Sequence, residues 1–344
     1  MERVVTWRGV FGRLLALGLS LLIGMVLVEA AMRIVYRTRL DYQIEMSRYA
    51  SAVKRPARDP KQTHEHTPNS SARLMGVPVV INSLGYRDRE IPVAKAPGTT
   101  RVVFVGDSLT FGWGVAVESR FSEVLQQQLP LELKRRGMPG NVELINTGIG
   151  NYNTSQEVAL FENSVLRLEP DIVVVNWFIN DAEPTPTKRS PIAISYSYLA
   201  MWLWGRLDTL QRMEDAAKDY REHYAGLYND DQPGYVEMTR AFARFGELAR
   251  ANRFTLIVGL LPELHSVWPD YEFRAIHDQV RQVALAGGAA QVVDLAPAFA
   301  GEVPPTLWVS PDDAHPNARG HAIIARGLFD ALLAAVEPRR HPVQ

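Results

Sequence analysis

The 344-residue sequence contains no cysteine, which excludes a thiol nucleophile, disulfide bonds, lipid attachment at a lipobox and cysteine-based zinc sites. It also has almost no net charge, because 37 Lys and Arg residues stand against 38 Asp and Glu residues. A nucleic-acid-binding protein normally has a basic excess or a basic stripe, so the balance argues against that class. A hydrophobic share of 47% nevertheless supplies enough apolar side chains for a sizeable core.

Several common catalytic and nucleotide-binding motifs are absent as well. The sequence has no Gly-x-Ser-x-Gly motif, which is the signature of α/β-hydrolases. It also has no P-loop, no His-Glu-x-x-His and no complete Gly-x-Gly-x-x-Gly. We therefore expect no cofactor and no metal.

An uncharged apolar run, LLALGLSLLIGMVLV, occupies residues 14–28 and has arginines on both sides. With its apolar neighbours it reaches the roughly 20 residues that a membrane-spanning helix needs. We predict a signal anchor over residues 1–37, with the short tail in the cytoplasm and the large domain outside, in the periplasm. Val28 and Ala30 also fit the pattern of a signal peptide cleaved after Ala30, which stays open as an alternative. A third interpretation is a buried core helix, which the flanking arginines disfavour.

From residue 101 onwards, short β-branched runs alternate with amphipathic helical stretches. The predicted strands cover residues 101–106, 141–146, 171–178, 254–262 and 291–295, and the predicted helices cover 117–136, 153–168, 234–252, 270–286 and 318–336. Such alternation predicts a central parallel sheet with helices on both faces, a three-layer α/β/α sandwich. Ligands of such sheets bind beyond the carboxyl ends of the strands, so the loops at that edge are the place to search for a site.

A polar, proline-bearing stretch precedes the sandwich. We interpret residues 38–98 as a tether and accessory segment, in which the stretch 77–92 predicts two short strands joined by a turn. His64 and His66 lie in this segment without a third metal ligand in view, and we interpret both as solvated loop residues.

The remainder of the chain, which we predict to form one domain over residues 99–340, contains one interruption. Residues 181–233 break the alternation with an aromatic-rich and then a charged helical stretch. This insertion is either a helical layer packed on the core, a lid over the site, or a surface that rests on the membrane.

The loop after the first predicted strand, VFVGDSLTFGWG, places Ser108 between a buried strand and a helix. A serine there can turn its hydroxyl towards a ligand. Because a serine hydroxyl is a weak nucleophile at its own pKa, it needs an adjacent base and a site that stabilises an anion.

The loop SPDDAHPNARGH near the C-terminus contains both a base and a carboxylate. Asp312 and His315 are three residues apart in a predicted turn, a spacing that lets the carboxylate reach Nδ1 of the imidazole and leaves Nε2 free as a base. Asp313 is the competing carboxylate, and we expect its side chain to point away from the ring.

Two further strand-end loops, INTGIGNYNTSQE and NWFINDAE, carry amides. An acyl-transfer site needs two or three hydrogen-bond donors directed at the developing oxyanion. A backbone N–H of Gly150 or Asn151 and the side-chain amide of Asn180 are suitable donors.

Four blocks of this chain, GDSLTFG at 106–112, NTGIGNYN at 146–153, FIND at 178–181 and DDAHPN at 312–317, resemble in order the blocks of the SGNH (GDSL) hydrolase superfamily. The resemblance implies a flavodoxin-like α/β/α hydrolase fold in which Ser108 is the nucleophile, with Asp312 and His315 completing the triad. It also implies that the Ser108 amide and the Asn180 side chain help to hold the oxyanion. The stretch NSLGYRD at 82–88 is similar to a segment of membrane-anchored bacterial members.

The chain departs from the family pattern at two positions. The glycine of the second block falls on Asn151, so the backbone donor is open between Asn151 and Gly150. The glycine of the third block is Phe178, which we expect to narrow the pocket.

These observations predict a serine esterase that hydrolyses O-acetyl or short acyl esters on an envelope glycan or lipid. Two alternatives remain: an O-acyltransferase that uses the same serine on a surface polysaccharide, and a non-catalytic glycan-binding or assembly module. The expected partners are the ester substrate and the membrane, and not nucleic acid.

Overall fold

The computed structural model describes residues 7–36, 39–185, 196–215, 220–265, 267 and 270–337. Parts of the predicted anchor and of the predicted insertion lie outside the described residues, namely 1–6, 37–38, 186–195 and 216–219.

The N-terminal part contains two helices and four short strands. These are α1 (Trp7–Val35), α2 (Tyr42–Val53), β1 (Lys54–Pro56), β2 (His64–His66), β3 (Ser71–Leu74) and β4 (Val77–Val80). β1 pairs with β2 and β3 with β4, both antiparallel. The prediction of a strand at 77–80 is correct, but the second strand expected before residue 92 is absent, because residues 81–92 form turns.

The remaining elements follow the predicted alternation closely. In chain order they are β5 (Thr100–Gly106), α3 (Ser108–Phe111), α4 (Phe121–Arg135), β6 (Val142–Asn146), α5 (Thr154–Leu160), β7 (Ile172–Trp177), α6 (Tyr198–Asp215), α7 (Tyr220–Leu227), α8 (Pro233–Asn252), β8 (Thr255–Leu260), α9 (Arg274–Gly287), β9 (Gln291–Asp294), β10 (Trp308–Ser310), β11 (Asp313–Pro316) and α10 (Ala318–Val336).

Five of the strands form the central sheet in the order β6-β5-β7-β8-β9, and all neighbouring pairs are parallel. This is the flavodoxin-like strand order, in which β5 occupies the place of the first strand. The predicted α/β/α sandwich is therefore confirmed.

Both faces of the sheet are buried, because successive side chains of a strand point to opposite faces. In β5, Val103 and Val105 belong to a core that includes residues of α5, α8 and α9. Val102 and Phe104 belong to a second core on the other face, formed with α4 and α10. This packing explains why β5 and β7 read as continuous apolar runs.

The insertion supplies α6 and α7. α6 packs against both α1 and α2, so the N-terminal helices and the insertion meet on one side of the domain. A shorter antiparallel pair, β10 and β11, lies at the C-terminal end of the chain before α10.

Candidate active site

Ser108 lies at the carboxyl end of β5, where the chain turns from strand into helix. Gly106 is required before it, since a Cβ there would meet Oγ1 of Thr110 at 2.1 Å. Asp107 caps α3 by accepting a hydrogen bond from the Leu109 amide at 2.8 Å. The Ser108 amide stands at the start of this helix and donates to no acceptor among the described residues.

The hydroxyl of Ser108 contacts an imidazole from the opposite end of the domain. Its Oγ lies 2.8 Å from Nε2 of His315, across 207 positions of the sequence. Nδ1 of His315 lies 2.5 Å from a carboxylate oxygen, which can only accept, so the proton sits on Nδ1. Nε2 is therefore the acceptor of the serine hydroxyl, as a general base requires.

The carboxylate on His315 belongs to Asp313, and the prediction that Asp312 contacts the ring is wrong. The segment is the strand β11 rather than a turn, and in a strand residues two apart share a face. Asp313 and His315 consequently point the same way, while Asp312 precedes the strand and is exposed. The expectation that Asp313 turns away from the ring is also wrong.

Asp313 has a second partner that the sequence did not indicate. Nε1 of Trp113 donates to its Oδ2 at 2.9 Å, and the His315 amide donates to its Oδ1 at 3.1 Å. Burial alone would raise the pKa of Asp313, but the nearby His315 and these hydrogen bonds hold the pKa below its ordinary value. Asp313 thus stays a carboxylate beside the imidazole.

Gly150 and Asn151 are the two candidates for the backbone donor to the oxyanion, and the Gly150 amide already has an acceptor. Its amide donates to the Tyr49 hydroxyl at 2.9 Å. The amide of Asn151 donates to no acceptor within the described ranges, and Asn151 lines the same cleft as Ser108 and His315. Asn151 has a φ of +66°, in the left-handed region, which asparagine tolerates better than most residues. The geometry thus favours Asn151.

Asn180 follows β7 and lines the same cleft. Its Oδ1 is buried without a hydrogen-bond partner among the described residues. Its Nδ2 has no described acceptor either, and is available to an oxyanion.

The loop that carries Asn151 is held from outside by the accessory segment. Nζ of Lys54 donates to the Gly150 carbonyl at 2.7 Å and to Oδ1 of Asn151 at 2.8 Å. Nε2 of His64 lies 3.1 Å from the same carbonyl. Burial lowers the pKa of Lys54 well below its ordinary value.

His66 is buried rather than solvated, which corrects the interpretation of that residue. Its Nδ1 lies 3.0 Å from the Gly85 carbonyl, which can only accept, so Nδ1 carries the proton. Nε2 then accepts the Tyr49 hydroxyl at 2.6 Å, leaving the Tyr49 oxygen to receive the Gly150 amide. Burial, followed by the nearby charge of Lys54, lowers the pKa of His66 to about 3.

The cleft has a volume of about 290 Å³ and is partly walled by aromatic rings. Tyr42, the first residue of α2, stacks on His315 with ring centres 5.8 Å apart. Phe178 lines the cleft as predicted, and Tyr224 of α7 lines it too. Among the described residues no group of three or more His, Asp or Glu side chains could hold a metal ion.

Three carboxyl groups are buried next to this machinery. Burial raises the pKa of Asp107 to about 6, against the hydrogen bond from Leu109 and the nearby His315. Burial, with repulsion between the groups, raises the pKa of Glu157 and Asp181 well above their ordinary values.

A comparison with known families decides the identity of this domain. The profile of the "GDSL-like Lipase/Acylhydrolase family" matches residues 104–323. The chain belongs to that family. It is accordingly a serine hydrolase of the SGNH type, and the family resemblance seen in the sequence is confirmed.

The solved structures that this chain matches include an esterase and a lipase. TesA shares 15% identity with this acylhydrolase, with a TM-score of 0.43 over 69% of this chain and 99% of that one. The lipase Lip_vut3 from a goat rumen metagenome shares 17%, with a TM-score of 0.46 over 68% and 97%. A catalytic mutant of Axe2, an acetylxylan esterase from Geobacillus stearothermophilus, shares 18%, with a TM-score of 0.44 over 69% and 95%. No curated protein sequence matches with statistical significance.

Proposed function

We propose that this acylhydrolase cleaves carboxylic esters through an acyl-enzyme on Ser108, with His315 as general base and Asp313 as the carboxylate that orients it. The observation that carries the proposal is the continuous contact from Ser108 Oγ to His315 Nε2 and from His315 Nδ1 to Asp313 Oδ1. A serine and a histidine that lie side by side by chance would lack the carboxylate that here contacts Nδ1 of the imidazole.

The reaction follows from the direction of these contacts. His315 Nε2 takes the hydroxyl proton while Ser108 Oγ bonds to the ester carbonyl carbon, and the carbonyl oxygen becomes an oxyanion. The Ser108 and Asn151 amides with the Asn180 side chain are the proposed donors to this oxyanion. Collapse expels the alcohol, which takes the proton from His315. Water, deprotonated by His315, then releases the acid and restores Ser108.

The shape of the cleft and the proposed attachment of the domain to the membrane support one substrate class. A cleft of about 290 Å³ with Phe178 in its wall suits an acetyl or other short acyl group. We propose an ester on an envelope glycan or lipid as the substrate. An O-acyltransferase would use the same first half-reaction, and a product assay with and without acceptor glycan separates the two.

We further propose that α1 stays attached as a membrane anchor. Val10–Val35 is long and apolar enough to span a membrane, and its most apolar 18-residue stretch has a mean hydropathy of 2.3 and is unburied. Glu29 accepts hydrogen bonds from Ser197 Oγ at 2.8 Å and from the Leu199 amide at 3.0 Å. Cleavage after Ala30 would remove Glu29 from these contacts, which favours an uncleaved anchor. As in the sequence-based prediction, the large domain is proposed to lie in the periplasm.

The direct test is labelling of the full-length protein with a fluorophosphonate, read by mass spectrometry and by p-nitrophenyl acetate turnover. We expect one adduct on Ser108, and loss of both adduct and turnover in Ser108→Ala. Ser51→Ala, which changes an exposed serine on α2, is the matched control and should behave as wild type. Undiminished turnover in Ser108→Ala with native circular dichroism would refute the assignment.

A further inference from the structure

An apolar stripe runs along the exposed side of α6. Leu203, Trp204 and Leu207 are 46%, 39% and 55% exposed. At about 100° per residue these three positions fall within an arc of about 100° on the helix. Gly205 and Met201, which are buried, lie about 150° and about 110° from the middle of this arc. α6 therefore has an outer face of large apolar side chains and a buried face on which Gly205 lies close to α2.

The opposite face of α6 is fixed against α2. A Cβ on Gly205 would meet Cβ of Gln43 at 3.0 Å, so the two helices approach closely there. This close approach fixes the rotation of α6 about its axis and keeps the apolar stripe turned away from the domain. The stripe is thus a consequence of the packing and not of a loosely held helix.

The first turn of α6 is attached to the apolar helix α1. Glu29 accepts hydrogen bonds from Ser197 Oγ and from the amides of Tyr198 and Leu199, at 2.8, 3.1 and 3.0 Å. Arg33 donates to the Tyr196 carbonyl at 2.8 Å. Glu29 is six residues before the end of α1, or about 9 Å along its axis. The start of α6 therefore lies level with the last two turns of a helix that is apolar enough to span a bilayer.

We propose that α6 is a membrane-surface helix, and that its partner is the bilayer that holds α1. In this position Leu203, Trp204 and Leu207 enter the boundary between head groups and acyl chains. Arg206, whose guanidinium lies 5.5 Å from the Trp202 ring centre, flanks the stripe on the side of the head groups. Large apolar residues with a tryptophan on one face and an arginine at its edge are typical of interfacial helices.

This placement also brings the active site close to the membrane. Six residues, 36–41, lie between Val35 at the end of α1 and Tyr42, whose ring stacks on His315, so seven Cα–Cα steps join the two. Even a fully extended chain of that length spans only about 25 Å. The esters that reach Ser108 are accordingly those presented within a short distance of the bilayer surface, which narrows the proposed substrate class to lipid-linked or membrane-proximal glycan esters.

The absence of cysteine makes a direct test possible, because single cysteines can be spin-labelled without background. The full-length protein would be reconstituted in liposomes as Leu203→Cys and Leu207→Cys. Leu21→Cys in α1 serves as the lipid reference and Leu131→Cys, exposed on α4, as the aqueous reference. Collisions of each label with oxygen and with a water-soluble nickel chelate give its depth, and circular dichroism checks that each variant folds.

We expect the oxygen-to-nickel accessibility ratio at 203 and 207 to shift from the Leu131→Cys value towards that of Leu21→Cys. A ratio equal to that of Leu131→Cys would overturn the proposal. Low accessibility to both reagents would also overturn it, because it would mean that another protein segment or a second copy covers the stripe. The inference rests on the anchoring of α1, and the Leu21→Cys label tests that anchoring separately. None of these readouts depends on ester hydrolysis.

Discussion

Asp312 and Asp313 are adjacent in the sequence, but the backbone directs their carboxylates to different surroundings. Asp313 shares a strand face with His315 and is held by Trp113, whereas Asp312 is exposed at the mouth of the cleft. Only Asp313 can fix the imidazole tautomer that leaves Nε2 as the acceptor of the serine proton. The pair therefore offers two variants of the same residue type, one position apart, with different expected effects.

We expect Asp313→Ala to lower kcat/KM for p-nitrophenyl acetate by about 10³–10⁴-fold, because loss of a triad carboxylate has effects of that order in other serine hydrolases. Asp312→Ala should stay within about 2–3-fold, as for an exposed substitution. Steady-state kinetics with active-site titration of both variants checks this. The reverse ranking of the two variants would show that the carboxylate acts from Asp312.

The strands and helices of the sandwich were predictable because their signal is local. β7 is a continuous apolar run, and its residues Ile172–Trp177 are all buried, as a strand covered on both faces must be. Ser108 and His315 were predictable because each lies in a short sequence block that resembles a block of the SGNH family. A local sequence pattern was therefore enough to predict the elements of the sandwich and these two site residues.

β11 and the accessory segment could not be predicted in the same way. β11 has only four residues and no apolar alternation, so nothing in its sequence distinguishes it from a turn. Because the strand could not be predicted, the direction of the Asp313 side chain could not be predicted either. The roles of Tyr49 and Lys54 depend on contacts with Gly150 that span 101 and 96 positions. Such contacts exist only in the folded structure, where α2 and β1 lie next to the Gly150 loop, so no local sequence pattern reveals them.

At the scale of elements, β1 and β2 act as a brace for the proposed oxyanion loop. Lys54 of β1 and His64 of β2 both contact this loop. Lys54 donates to the Gly150 carbonyl and to Oδ1 of Asn151, whereas Nε2 of His64 lies 3.1 Å from the same carbonyl. Since the Asn151 amide is proposed to act on the oxyanion, the brace should matter most when that charge develops. A loosened loop would then weaken binding of the transition state more than binding of the ester.

Lys54→Met keeps an unbranched side chain over the Tyr49 ring but removes both hydrogen bonds. We expect kcat to fall by roughly 10-fold with a smaller change in KM, less than the about 10²–10³-fold loss that follows removal of an oxyanion donor. Lys61→Met, at an exposed position of the same segment, is the control. A proportional rise of KM at constant kcat would instead assign Lys54 to substrate binding.

At the scale of the whole molecule, buried titratable groups set opposing dependences of stability on pH. His66 and His321 are both buried, and burial lowers the pKa of each to about 3. The folded state therefore loses stability from these groups as pH falls below about 6.5. Asp107 acts in the opposite direction, because burial raises its pKa to about 6. Its contribution is complete below about 4 and is lost as pH rises through 6.

Asp107→Asn separates the two effects, since an asparagine can still accept the Leu109 amide but does not ionise. A shift of about two pH units corresponds to roughly 3 kcal/mol. Between pH 4 and pH 7 the free energy of unfolding of Asp107→Asn, relative to wild type, should rise by up to about that amount. Denaturant titration in detergent at several pH values measures it. Parallel profiles would mean that Asp107 has the same pKa in the folded and unfolded states, and Asp107 would then not offset the loss of stability that the buried histidines cause at low pH.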